Sequence, residues 1–527
     1  MALHIYKKVG IATFMMMASI FLSRVIGLGR EITIAYIGGT QTSVDAYQVS
    51  FIIPELLNHM VASGFLSVTF IPIFSHYLAI NEEEKGWQVF STILMNFSLL
   101  LVVLMSITLY YTPVLVNYFA PGFSDPLAKQ LAIRMTRIII PAQFFFFAGG
   151  LFMAVQYAKE QFAFPAFAPL IYNIGIIIFG VILSPWIGME GFSWGVLIGA
   201  FVGNFLLQYM GARRMGMHLY FTLNFNHPDF KTYIRQTIPL MFGLTMTFST
   251  EIFFKWFGTY LPAGSISSLN YGLRVMLMLV GFFGQAVGVA SFPFMARLSA
   301  ENRIQEMNEL LNKAVKYLLL ILPVSVLMMV LRHETIYILF QRGKFDAVAT
   351  EQTAGVFFYL LIGAFAFAAQ TVVGRGFYAM QNTLLPTIIS TFTAIVSIPM
   401  YYLGMQQMGA NGIALAVSLS SIFQVGLLYA IWNQRSQNDA AKQIYYFLFK
   451  LSFVSLSIGA LLYGTKLMLK HYIDASTLLG NLWMILTLSV FFGFLLIIMS
   501  RILQLNEILI PIHAILKKMK KILKKNK

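Results

Sequence analysis

Residues 89–111 read VFSTILMNFSLLLVVLMSITLYY, a stretch without one charged side chain. About 20 predominantly apolar residues cross the hydrocarbon core of a bilayer as a helix. A second such run occupies Leu479 to Ile498, and others recur from end to end of a 527-residue chain that is 58% hydrophobic and only 11% charged. A soluble helix would show a polar stripe at every turn or two. The pattern predicts an all-α polytopic membrane protein.

Cysteine is absent, which removes disulfides, thiol nucleophiles and thiolate metal sites. Lys7 and Lys8 precede a Met-rich run in the manner of a signal peptide. The segment continues without a small-residue cleavage site, so it is expected to stay as the first helix. The net charge of +16 is concentrated in short loops and in the C-terminal KKMKKILKKNK, which holds seven lysines. A basic tail beside an apolar span marks the cytoplasmic side and is attracted to anionic membrane lipids; no nucleic-acid partner is implied.

Apolar runs and turn signals predict about fourteen transmembrane helices. Breaks are expected at PGFSDP (121–126), SPWIGMEG (184–191), NFNHPD (224–229), RHETIYILFQRGKFDA (332–347) and NQRSQNDAAK (433–442). An even count puts both termini on one side, and the loops rich in Arg and Lys place that side in the cytoplasm. A weak repeat relates residues 43–84 to 267–305, pairing Tyr47 with Tyr271 and Pro72 with Pro293. The simplest organisation is two pseudo-repeated six-helix lobes, 1–220 and 230–440, then two extra helices over 444–505 and a basic cytoplasmic tail at 506–527. Duplicated halves are a transporter habit.

Against this apolar background SRVIGLGRE, residues 23–31, places Arg24, Arg30 and Glu31 inside the first span. At 100° per residue Ser23, Gly27 and Arg30 share one stripe, with Arg24 and Glu31 on the next. An ionised residue at the bilayer centre costs about 2.5–3.5 kcal/mol, so both arginines need a reason. One reading is structural: ion pairs with Glu31 or Asp45, or snorkelling to the interface. The other is a hydrated cavity that receives an anionic substrate, because the guanidinium fork donates two parallel hydrogen bonds to phosphate. Arg274, in the matching helix of the second half, supplies a third cation, with Asp45 as counter-ion and His59 as a further donor. The second span is interrupted by Pro54, Gly64 and Pro72, which predicts bending or hinging. Glu251 and Lys255 stand four apart in the order that favours an intrahelical ion pair. With Glu31, Glu55 and Asn58 they are also candidates for coupling or gating.

No histidine spacing suggests a metal site, and no phosphate loop, nucleophile elbow or acid/base pair is present, so neither a cofactor nor an enzyme activity is expected. Carboxylates in the expected outer loops, Asp125, Glu190, Glu334, Asp346, Glu351 and Asp474, lack catalytic spacing.

The stretches SRVIGLGRE, VDAYQVSFIIPELL…GFLSVTFIPIF, YGLR (271–274), LFQRGKFDA (339–347) and RGFYAMQNTLLP (375–386) resemble the lipid II flippases of the MurJ (MviN) type, in the multidrug/oligosaccharidyl-lipid/polysaccharide exporter superfamily. The resemblance covers nearly the whole chain. It implies fourteen helices in two lobes flanking a cationic cavity, with the last two helices forming a groove for the lipid tail. It implies transport of undecaprenyl-pyrophosphate-linked peptidoglycan precursor from the inner to the outer leaflet of the bacterial cytoplasmic membrane by alternating access, in association with cell-wall synthesis machinery. The family's arginines fall on Arg24, Arg30 and Arg274, and its acidic residue on Asp45. Two departures stand out: the family commonly has an asparagine and then one or two arginines where this chain reads Glu55-Leu56-Leu57-Asn58-His59, and its aspartate is Asn382 here.

The resulting expectation is a lipid II flippase driven by membrane potential or an ion gradient. A flippase for another polyprenyl-linked glycan, such as an O-antigen or capsule unit, is the alternative that the altered second span suggests. A cation-coupled drug exporter fits less well, because three arginines suit an anion. A scaffold for other cell-wall proteins would tolerate loss of those arginines.

Overall fold

A computed structural model describes residues 2–59, 65–247, 249–505 and 507, and among them the chain is nearly all helix, without strands. Gly64, expected to help bend the second span, and all of the basic tail except Glu507 lie outside the described residues. Eight described helices are long and apolar enough to cross a membrane. A ninth follows if Ala347–Ile362 and Ala364–Ala379, bent by 43°, count as one span. The expected fourteen are not reached among the described residues. The charged helices Ala2–Gly38 and Ser265–Ala300 stand outside that set although they run to 37 and 36 residues.

The chain divides into two compact units, Met1–Ser267 with Arg342–Phe345, and Ser268–Gln341 with Asp346–Lys527. The first has an aromatic core. Phe74 meets Trp87 edge-on at 4.9 Å and Phe97 stacks on Phe147 at 4.9 Å, all four buried. Its Ala163–Ile187 and Glu190–Gly199 helices pack through glycine: a Cβ at Gly195 would lie 2.9 Å from the Ile176 Cα, and one at Gly199 2.8 Å from the Tyr172 carbonyl oxygen. Apolar lipid competes with apolar side chains for such faces, so close backbone approach is what favours the protein contact.

The second span is broken where its proline requires. Pro54 has no N–H for the Ser50 carbonyl and its ring crowds that oxygen. The chain accordingly runs as helix Thr42–Val49, a turn at Ser50 and Phe51, and helix Ile52–Leu57. The freed Ser50 carbonyl accepts from the Thr136 hydroxyl at 3.3 Å.

In the second unit, Leu384–Ser436 is two helices that meet at a kink at Gly409 (φ 58°, ψ −133°), close to where the sequence starts a new span. At one end of this helix the Trp432 indole donates to Asn308 (2.9 Å) and the Tyr429 hydroxyl to Asn312 (2.7 Å), joining it to Ile304–Leu319. The Ala441–Leu469 helix is tied in by a buried ion pair, Lys466 Nζ to Glu334 Oε2 at 2.7 Å. The same ammonium donates to the Val330 carbonyl at 2.6 Å.

Candidate functional site

The charges of the first helix are held in unlike ways. The stripe of Ser23, Gly27 and Arg30 faces Asn173 of the Ala163–Ile187 helix. Arg30 Nη1 donates to Asn173 Oδ1 at 3.1 Å, and the Asn173 amide donates to the Ser23 hydroxyl at 3.4 Å. Gly27 faces the same amide, and a Cβ there would lie 3.9 Å from Asn173 Oδ1, an ordinary contact. Arg30 Nη2 donates to Glu31 Oε1 at 2.6 Å, so one of the ion pairs that the sequence offered does form. Arg30 Nε is buried without a hydrogen-bond partner, a donor held ready for another acceptor.

Arg24 is half-buried six residues earlier and has no hydrogen-bond or ion-pair partner among the described residues. A guanidinium in a membrane-length helix without a carboxylate is expensive. An anion that arrives and leaves would compensate it without a permanent pair.

Asp45 is not a counter-ion to these arginines. Its carboxylate accepts from the Gly264 and Ser267 backbone N–H groups, each at 2.7 Å. It thereby caps the exposed donors at the start of Ser265–Ala300, where a negative charge is also favoured by the helix dipole. That helix carries Arg274 nine residues from its start. The neighbouring turn is fixed by backbone: Lys344 N–H donates to the Tyr36 carbonyl at 2.9 Å, with Gly39 (φ 60°) and Gly343 (φ 61°) in the left-handed region that favours glycine. Arg342–Phe345 of the LFQRGKFDA stretch thus supplies a strap over the end of the first helix.

Glu55 and His59, among the departures in the second span, lie beside the helix Ser249–Gly258. Lys255, 1% exposed, reaches Glu55 Oε2 at 3.2 Å, an interhelical pair that the Glu251–Lys255 spacing does not anticipate. The His59 imidazole lies within electrostatic reach of Glu251. Asn58 closes the short Ile52–Leu57 helix through its backbone N–H.

The second unit holds Arg274, half-buried, and a further cation that the sequence reading passed over. Arg375 lies in Ala364–Ala379 with Nη1 buried and without a hydrogen-bond partner. Its guanidinium fits against Gly288 of Ser265–Ala300, where a Cβ would come within 2.9 Å of Nη1. The same signal that marked Arg24, a cation in an apolar helix, was available for it. Asn173 carried no such signal, because only the fold reveals what it faces. Arg30 Nε in the first unit and Arg375 Nη1 in the second are thus each buried donors without a hydrogen-bond partner among the described residues.

Residues 34–513 match the family model described as lipid II flippase MurJ. A probable lipid II flippase MurJ of Buchnera aphidicola subsp. Baizongia pistaciae is 27% identical over 78% of this chain and 80% of its own length. The lipid II flippase MurJ of Burkholderia cenocepacia is 27% identical over 77% and 80%. Among solved structures, lipid II flippase MurJ in an inward closed conformation superposes with a TM-score of 0.77 at 23% identity, covering 93% of this chain and 99% of that one. An inward-facing multidrug resistance MATE transporter of the MOP superfamily gives 0.66 at 11% identity over 79% and 94%, a likeness of fold. With its match extending over most of the sequence, the chain belongs to the lipid II flippase MurJ family.

Proposed function

We infer that this chain is a lipid II flippase of a bacterial membrane, moving the undecaprenyl-pyrophosphate-linked precursor from the cytoplasmic to the outer leaflet. The observation that carries the reading, beside family membership, is Arg24: a half-buried cation in a membrane-length helix with no partner among the described residues. Arg24, Arg30 and Arg274 hold the pyrophosphate in this proposal, and Arg375 joins them. Asp45 acts through the helix it caps, and His59 contributes a donor. Glu31, Glu55, Asn58, Glu251 and Lys255 then serve coupling or gating, the Lys255–Glu55 pair opening and closing between Ile52–Leu57 and Ser249–Gly258. No covalent chemistry is needed. The polar headgroup needs a hydrated path open to one leaflet at a time while the polyprenyl chain stays in lipid. Both termini are assigned to the cytoplasm from the distribution of Lys and Arg, where the tail is accessible to cell-wall synthesis partners.

The test is complementation in a bacterium whose own lipid II flippase can be switched off, with wild type, Arg24→Ala, Arg30→Ala, Arg274→Ala and Arg375→Ala at matched membrane levels. Rescue by wild type with failure of the arginine variants is expected. Absence of rescue by a well-expressed wild-type chain would overturn the substrate, and equal rescue by all variants would overturn the site.

A further inference from the structure

Away from the arginines, the second unit contains a cavity of about 380 Å³ where Ile304–Leu319 ends, Ala441–Leu469 begins and the chain leaves Leu478–Ile502. Its size falls within the range of small-ligand sites. Lys316, Lys442 and Lys450 line it with Glu507 as the acid among its lining residues, leaving two positive charges in excess. Lys316 is committed, lying 3.1 Å from Glu507 Oε1 and 5.6 Å from the Phe447 ring centre. Lys442 and Lys450 have no carboxylate or hydrogen-bond partner among the described residues, and Lys450 rests 5.9 Å from the Tyr446 ring centre. Lys442, Tyr446 and Lys450 recur every four residues, so they share one helix face. Lys442 and Tyr446 are exposed and Lys450 is half-buried, so the lysines stand at the rim of an open cavity rather than inside a closed one.

The surface that continues along the same helix is apolar. Phe449, Phe453 and Leu456 are 74%, 62% and 69% exposed on a helix of membrane-spanning length. Cations at the end of a span, adjoining an exposed aromatic and aliphatic face, match a molecule with a phosphate at one end and acyl chains at the other.

We propose that this cavity binds the phosphate headgroup of an anionic phospholipid, with its acyl chains lying along Phe449, Phe453 and Leu456. The site is separate from the transport arginines and does not depend on which glycan the chain moves. Its ligand is a resident lipid that holds the two C-terminal helices to the rest of the unit.

The purified full-length chain is reconstituted in nanodiscs of phosphatidylcholine with or without phosphatidylglycerol, and thermal unfolding is followed. Co-purifying lipid is counted by native mass spectrometry after transfer to detergent. Phosphatidylglycerol should raise the melting temperature, and Lys442→Gln/Lys450→Gln should abolish most of that rise. Bound phosphatidylglycerol should weaken by about fivefold for each lysine removed. Lys442→Arg/Lys450→Arg should keep it. Equal retention by wild type and the glutamine variant overturns the proposal. A shift produced equally by inorganic phosphate overturns the lipid assignment in favour of a free-anion site. The Lys316–Glu507 pair is untouched, and each single glutamine variant gives the same readout if the double variant melts early in phosphatidylcholine alone.

Discussion

The carboxylate of Asp45 accepts the Ser267 backbone N–H at 2.7 Å, across more than two hundred residues of sequence. The Gly264 N–H binds its other oxygen at the same distance, so the aspartate occupies both donors at the start of Ser265–Ala300. Hydrogen bonds to a charged group contribute about 1.5–3 kcal/mol each, and a buried N–H left without an acceptor costs about as much. Asp45→Ala is therefore expected to lower unfolding free energy by about 3–6 kcal/mol. Asp45→Asn, which retains one acceptor and loses the charge, should cost less. Thermal unfolding of both variants in one detergent checks the order. Equal melting of Asp45→Ala and wild type would show that water or another group replaces the cap.

Arg24 and Arg30 should separate stability from transport. Arg24→Ala removes no hydrogen bond or ion pair among the described residues, so its stability should stay within about 0.5 kcal/mol of wild type. Flipping should fall at least about tenfold if the guanidinium holds phosphate. Arg30→Ala loses the bonds to Asn173 and Glu31 and should fail in both measurements. Arg24→Lys keeps the charge without the planar fork, so its transport should be intermediate. Flipping in reconstituted vesicles set beside melting curves separates the outcomes. A large stability loss in Arg24→Ala would mean that the arginine is structural.

How much of this was legible in the sequence follows the range of the interaction. The Ser23, Gly27 and Arg30 stripe is a property of one helix, so 100° geometry placed all three toward the same neighbour. The break in the second span is equally local, set by Pro54 and the carbonyl four residues before it. Lys255 shows the opposite case: its nearest acid in sequence suggested an intrahelical pair, and its partner is Glu55, two hundred residues away. Asp45 was placed among cations on charge alone, whereas its carboxylate is used by backbone donors that no composition or spacing exposes. A count of long apolar helices among the described residues differs from a count of apolar runs for a local reason: a span broken at Pro54 falls below spanning length, and two helices meeting at Gly409 count as one.

Glycine at 195 should be difficult to replace. A Cβ there would sit 2.9 Å from both the Cα and the carbonyl oxygen of Ile176, and backbone cannot swing aside as a flexible side chain can. Gly195→Ala is expected to cost about 1–3 kcal/mol through overpacking, and Gly195→Val more. Gly464, with open space around its Cβ position, is the control and should accept alanine without loss. Melting temperatures of the three variants decide it, and a neutral Gly195→Val would show that the two helices can separate without penalty.

The Lys466–Glu334 pair predicts a double-mutant cycle with strong coupling. Both residues are buried, at 7% and 1% exposure, and the ammonium also holds the Val330 carbonyl. Removing one member leaves a buried charge uncompensated, at about 3–5 kcal/mol. Lys466→Met and Glu334→Gln should therefore each destabilise the second unit strongly, while the double variant should recover much of the loss because no charge remains buried. The Val330 carbonyl stays without its donor in both Lys466→Met backgrounds, so recovery should stop short of wild type by about 1–3 kcal/mol. Hydrogen exchange along Ala441–Leu469 should rise in the single variants and fall back in the double. Simple additivity of the two losses would show that each side chain acts through separate contacts, and that the ion pair is not what fastens this helix to its neighbours.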